Sequence, residues 1–200
     1  MEPNNPLEKE IWRLHQVGEL LKAFELVVSG YTPWLRTWLR RKIRDEQKAK
    51  DLYQDITLKF WRGFKSFRWG SSCKTWLCAI ALRELYYDAR KKTTAEQALD
   101  SQAAAAQSSL TGKLDKRAQL EAIFAMLTDE ERLLLTLREV NGASWEELAA
   151  LQEPSKSFAP EELQREASRL RQQHSRLLKR IRDEVQSEPS VSQWLSEIGG

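Results

Sequence analysis

Between residues 76 and 90 the chain sets Trp76, Arg83, Tyr86, Tyr87 and Arg90 at three-, four- and seven-residue steps, so one face of a helix would carry aromatic rings beside guanidinium groups. An aromatic ring stacked on an unpaired base contributes roughly 1–3 kcal/mol, and an arginine can hold the adjoining phosphate. A duplex hides the face of each base, so this stripe suits capture of single-stranded nucleic acid. The same spacing also suits aromatic packing against a neighbouring helix, the commoner use of such a stripe. A second constellation lies further along. Arg165, Arg169, Gln172, Arg176, Lys179 and Arg180 gather on one face of a long helical pattern. A separate seam of that pattern carries Leu163, Ala167, Leu170, His174, Leu177, Leu178, Ile181 and Val185.

Covalent and metal chemistry find little to work with. The chain has two histidines, His15 and His174, and two cysteines, Cys73 and Cys78. The cysteines are five apart inside one helical pattern and belong to no CxxC or Cys/His ligand set. No disulfide scaffold, metal site, cofactor or catalytic triad is expected, and no paired acid and base motif supports a carboxylate-based hydrolase. His174 sits in the apolar seam and reads as a packed core residue, and Trp145 as a hydrophobic anchor.

The elements that must carry these residues are helices. Of 200 residues, 41% are hydrophobic and 30% charged, enough apolar material for one domain or two small ones. The longest apolar run, Thr75 to Leu82, is far short of the roughly 20 residues that cross a bilayer. The start lacks a basic-then-apolar leader, so a soluble, cytoplasmic protein with no membrane insertion is expected. The net charge of +3 conceals alternating blocks: +8 over residues 1–92, −7 over 93–164, +6 over 165–182 and −4 over 183–200. Two basic blocks divided by an acidic one suit either two polyanion-facing surfaces or solvated helix faces.

Helical periodicity dominates and predicts an all-α fold. Leu7 to Ser29 reads as one helix, stopped at Gly30 and restarted at Pro33 for a short helix to about Ile43. A third helix spans about Glu46 to Phe64, with Ala49, Leu52, Tyr53, Ile56, Phe60 and Phe64 as its core stripe. A loop at Phe67–Ser72 follows, and Ser71 or Ser72 caps a fourth helix reaching about Lys92. Thr93 to Asp115, poor in large apolar residues, reads as a flexible linker. The domains are then 1–92 and 116–186, joined by 93–115, with a tail over 187–200. In the second domain, a face of Leu120, Ile123, Phe124 and Leu127 precedes Thr128–Glu131, a capping box that opens a helix to Val140. Ser144–Glu147, a second box, opens a short helix to about Gln152, and Pro160 starts a long one to about Val185. Short capped helix, turn and basic helix is the order of a helix-turn-helix. Val191, Trp194, Leu195 and Ile198 give the acidic tail a small apolar face, expected to fold back.

At these residues the chain resembles the sigma factors of bacterial RNA polymerase, in particular the small extracytoplasmic-function type that keeps only regions two and four. Ala49 to Trp61 matches the family's A-x-D-L-x-Q-x-x-x-x-x-x-W stretch without gaps, and Trp76-Leu77, Ile80-Ala81 and Arg90 match W-L-x-x-I-A and its closing arginine. Leu127-Thr128, Arg132, Gly142-Ala143-Ser144, Glu147-Leu148-Ala149 and Ser168-Arg169-Leu170 are similar to the region-four pattern. The likeness covers roughly residues 20–92 and 118–182. Arg83 stands where the family usually has Asn, and Tyr87 where it has Asp, with Asp88 one later. The chain is also several residues longer than the family between Ala149 and Ser168.

The resemblance implies a factor that binds core RNA polymerase and directs promoter recognition and melting, without being an enzyme itself. It implies docking to polymerase through Asp51, Gln54, Asp55 and Trp61. Phe67, Trp69, Ser72, Trp76, Arg83, Tyr86, Tyr87 and Arg90 would hold the single-stranded −10 element, the loop from Phe67 acting as pocket partner to the helix. Arg165, Ser168, Arg169, Arg171 and Gln172 would read the −35 duplex, since Arg and Gln can bond guanine and adenine edges. Arg176, Lys179 and Arg180 suit phosphates or water. An anti-sigma factor is a further partner that the resemblance allows. The rival readings are a stand-alone helix-turn-helix regulator of duplex DNA and a helical adaptor that binds protein alone.

Overall fold

Gly18 makes the first break in the chain. Its φ of +81° lies in the left-handed region that glycine enters without steric cost. There the Val17 N–H bonds Arg13 O and the Glu19 N–H bonds Leu14 O, closing the helix that begins at Pro6. The computed structural model of the chain describes residues 3, 5–43, 45–100 and 123–187, with side chains described outside 92–100 and 185–187. Helix α1 therefore spans Pro6–Gln16, capped by the Asn5 side chain on Leu7 and Glu8 N–H. Helix α2 spans Leu20–Lys42 and runs straight through Gly30 and Pro33.

That overturns the expected stop and restart at Gly30 and Pro33. A proline inside a helix removes one hydrogen bond and crowds the preceding turn. Here the buried stripe Ala23, Val27, Tyr31, Leu35 and Leu39 continues across it and outweighs that cost. Gly30 serves packing rather than termination, since a Cβ there would overlap Leu7 Cδ2 of α1.

Helix α3, Glu46–Phe64, is capped by Asp45 on the Lys48 N–H and buries Ala49, Leu52, Ile56, Phe60 and Phe64 of the predicted stripe, with Tyr53 half-buried at its margin. Helix α4, Cys73–Asp100, starts at Ser72, whose hydroxyl accepts from Thr75 N–H at 3.0 Å. It extends past Lys92, so the first eight residues of the expected linker are helical. The rest of that linker, Leu120, and the tail with Val191, Trp194, Leu195 and Ile198 lie outside the described residues. Helices α1 to α4 enclose one apolar core, with Phe60, Phe64, Ile11, Leu35, Leu39 and Ile56 fully buried.

Both capping boxes form as the sequence predicts, Thr128 with Glu131 and Ser144 with Glu147. Helix α5, Asp129–Leu135, passes into a π-helical turn at Thr136–Val140, and Gly142, at φ +68°, reverses the chain. Helix α6, Trp145–Ala150, packs on the long helix α7, Pro160–Ser187. Ala167, Leu170, His174 and Leu177 form the buried side of α7, whereas Leu178, expected in that seam, is 39% exposed. Secondary structure among the described residues is helical throughout, an all-α fold.

Candidate nucleic-acid interface

The loop between α3 and α4 and the outer face of α4 carry the residues proposed for single-stranded DNA, and the structure divides them into two groups. Phe67, Trp69 and Trp76 are buried, at 3%, 6% and 5% exposure. Phe67 and Trp76 stack nearly parallel with centroids 4.4 Å apart, and Trp76 also meets Phe60 at 4.5 Å. Their π-faces are occupied by one another, so the expectation that they stack on bases gives way to a core role. Aromatic pairs in contact gain both area burial and ring complementarity, which an exposed stack on this loop would forfeit. Trp69 packs on Phe67 at 5.3 Å and on the edge of His15 at 5.6 Å. It holds φ +58°, and its indole N–H is buried without a hydrogen-bond partner. Ser72 is committed to capping α4.

Further along α4 the core ends and the side chains emerge. Tyr87 is 59% exposed, and Arg83 and Arg90 are exposed beside it. Tyr86 is half-buried, its hydroxyl 3.4 Å from Thr136 Oγ1, and burial raises its phenol above the ordinary value. Arg83, Tyr86, Tyr87 and Arg90 line one cleft of ≈ 610 Å³, whose opposite wall is built by Asp129, Leu133, Leu148, Leu151 and Arg169. The second half of the chain thus stands against the α4 face. Arg83 donates to Leu151 O at 3.2 Å, and Arg90 Nε lies 2.8 Å from Asp129 Oδ2. The loop is engaged in the same way. Arg68 donates its N–H to Pro154 O at 3.0 Å and its Nε to Ser155 O at 3.3 Å, and Ser72 N–H points at Glu147 Oε1. A Cβ on Gly70 would overlap that of Ala150.

The residues proposed for polymerase docking lie on α3. Asp51, Gln54 and Asp55 are exposed, and Asp51 accepts from Gln47 Nε2 at 2.9 Å. Trp61 is half-buried against Phe24, with centroids 4.8 Å apart. Leu58 lies between them in the helical register and is 50% exposed. Sequence reasoning passed over it, although its three- and four-residue steps from Gln54, Asp55 and Trp61 were visible.

On α7, Arg165, Ser168, Arg169, Arg171 and Gln172 are all exposed. Arg165, Ser168, Arg169 and Gln172 line a shallow groove with Pro160, Glu161 and Gln164, while Arg171 sits over the Trp145 ring at 5.8 Å. Arg169 pairs with Glu166 at 2.8 Å. His174 is buried as expected, its ring edge-on to Trp145 at 5.2 Å. The described residues contain no His, Cys, Asp and Glu cluster that could hold a metal ion, and no helix among them is long and apolar enough to cross a membrane.

The profile described as Sigma-70 region 2 matches residues 27–94, which include all of α3 and the loop after it. The chain is 29% identical over 144 residues to the RNA polymerase sigma-H factor of Pseudomonas aeruginosa, covering 65% of this chain and 75% of that one. It is 28% identical over 138 residues to the ECF RNA polymerase sigma factor SigX of Bacillus subtilis, covering 64% and 71%. A solved structure of the sigma factor RpoE with the anti-sigma factor NepR, from Bartonella quintana, is 30% identical, covers 79% of this chain and 98% of that one, and superposes with a TM-score of 0.42.

Proposed function

This chain belongs to the sigma-70 family of RNA polymerase sigma factors, in its extracytoplasmic-function group, and serves transcription initiation; from that membership we propose a division of labour between its two halves. The half formed by α1 to α4 docks on core polymerase and holds the melted −10 strand. The half from α5 to α7 grips the −35 duplex, with residues 101–122 connecting them.

Docking uses Asp51, Gln54 and Asp55 as a polar rim with Leu58 and Trp61 as apolar anchors, a composition typical of protein interfaces. Strand capture falls to the exposed part of α4. Tyr87 supplies a free ring for a base, with Tyr86 behind it, and Arg83 and Arg90 supply charge for the flanking phosphates. Phe67, Trp69 and Trp76 shape the loop from within the core. On α7, Arg165, Ser168, Arg169 and Gln172 share a face that can enter a major groove, and Arg171 lies at its side. Opening a base pair costs a few kcal/mol, which binding to the unpaired base can offset without any covalent step. The chain acts as no enzyme in this reading: phosphoryl transfer belongs to polymerase, and the site of action is the cytoplasm. An anti-sigma factor is a second partner within this reading.

The carrying observation is the line of Arg83, Tyr86, Tyr87 and Arg90 along one cleft of α4, with the three aromatics before it packed away. The second half forms the other wall of that cleft, so its moving off would widen the access of DNA to that line. The test is reconstituted transcription with purified core polymerase and promoter mapping. Initiation from defined start sites on addition of this chain alone supports the reading, and duplex binding without initiation refutes it.

A further inference from the structure

Helix α1 lies ahead of residues 27–94, yet it grips both ends of the loop that precedes α4. At one end stands Glu8, whose side chain is buried at 2% exposure. Both carboxylate oxygens are used. Oε1 accepts from the Tyr31 hydroxyl at 2.6 Å and the Lys74 N–H at 3.1 Å, and Oε2 accepts from the Cys73 N–H at 3.0 Å. Cys73 and Lys74 open α4, where the first N–H groups have no partner within the helix and the helix dipole favours a negative charge. Burial, and then the Glu8 carboxylate itself, hold the Tyr31 phenol and the Cys73 thiol well above their ordinary values, so the phenol stays a donor.

At the other end, His15 Nε2 donates to Phe64 O at 2.7 Å, at the last residue of α3, and the same ring meets Trp69. Between the two anchors Trp69 keeps its φ of +58° and its unpartnered indole N–H. A large residue in the left-handed region persists only where its surroundings over-determine it. Here those surroundings include α1.

We propose that Glu8 is a positioning residue for single-strand capture, fixing the first turn of α4 and the Phe67–Ser72 loop in the geometry that the α4 face needs. The proposal rests on the reading of α4 as the single-strand surface.

The test uses holoenzyme assembled from core polymerase and the full chain, with a labelled single-stranded oligonucleotide bearing the −10 element of the mapped promoter. Glu8→Gln keeps the volume but turns an amide NH2 toward one of the three donors. Loss of a charge-assisted contact of this kind is expected to weaken oligonucleotide binding about tenfold. Affinity for core polymerase should stay within about twofold, since Asp51, Gln54 and Asp55 are untouched. Equal oligonucleotide affinity for wild type and Glu8→Gln overturns the proposal. A parallel loss of polymerase affinity overturns it too, because that marks a merely structural role. If Glu8→Gln does not fold, Tyr31→Phe removes one neutral donor and leaves the carboxylate on α4. The expected loss is then about two- to threefold, with polymerase binding unchanged, and no loss overturns the proposal. Should wild-type holoenzyme prefer the −10 oligonucleotide no more than a scrambled one, the α4 reading itself falls, and this proposal with it.

Discussion

Trp76 and Tyr87 occupy the same stripe of α4 and yet do opposite work. Trp76 is wedged between Phe60 and Phe67, while Tyr87 stands in solvent. Trp76→Ala should cost about 3–5 kcal/mol in urea unfolding, the usual range for removing a buried aromatic. Tyr87→Ala should change stability by no more than about 0.5 kcal/mol. It should instead weaken holoenzyme binding to the −10 oligonucleotide by about 1–3 kcal/mol, the worth of a lost stack. A large unfolding penalty at Tyr87, or none at Trp76, would reverse the two assignments. The sequence made the stripe legible but not this division. Periodicity identifies a face, whereas burial along that face depends on where neighbouring helices stop. Among the residues of α4 whose side chains are described, Leu82 is the last buried one, and nothing local to Trp76 or Tyr87 announces that edge.

Among the elements, α3 was readable because its apolar residues recur at three- and four-residue steps from Ala49 to Phe64 without a break. The α1–α2 break was not. Gly18 and Gly30 both precede plausible restarts, and proline at residue 33 favours the wrong one. The difference lies in tertiary contact: Gly30 lies under Leu7, and Gly18 faces nothing within 4 Å. On α3 itself, Leu58→Asp should reduce affinity for core polymerase about tenfold or more, as loss of an interface anchor does, while leaving the melting temperature unchanged. Fluorescence titration against core polymerase checks this, and undiminished affinity removes Leu58 from the docking face. On α5, Glu131 closes the capping box and accepts from Arg180 of α7 at 2.7 Å. The Arg180 hydrogen bond, first among its causes, holds the Glu131 carboxyl below its ordinary value. A depressed carboxylate contributes stability that is present above the unfolded value and lost as pH falls through the folded one. Glu131→Gln should therefore lower stability at neutral pH and flatten the acid limb of the unfolding profile below about pH 4.5. An acid limb identical to wild type would mean that the pair is screened into insignificance.

At the scale of the whole molecule, the two halves meet through a shared apolar cluster edged by individually weak polar contacts. Arg68 reaches Pro154 O and Ser155 O, Arg83 reaches Leu151 O, Arg90 pairs with Asp129, and Asn141 Nδ2 sits 3.2 Å from Cys78 Sγ. Beneath these links Leu134, Leu137, Leu148 and Leu151 join the same apolar cluster as the core of α1 to α4, whereas an ion pair such as Arg90–Asp129 contributes about 0–1 kcal/mol. No property of the sequence foretold the contact, because each partner is an ordinary loop carbonyl or a surface charge. Gly70 is the point at which it can be tested. The backbone there needs no glycine-only φ, but any side chain must displace Ala150, which is buried at the end of α6. Gly70→Val should therefore pry the halves apart at Ala150 while leaving the helices on either side intact. The expected readouts are a larger radius of gyration in solution scattering and faster hydrogen exchange at the Arg68 amide, which loses Pro154 O. Raising the salt concentration should move wild type in the same direction by weakening Arg90–Asp129. If Gly70→Val keeps the wild-type scattering profile and exchange rate, these contacts do not hold the halves together, and the α4 face is open to DNA without prior separation.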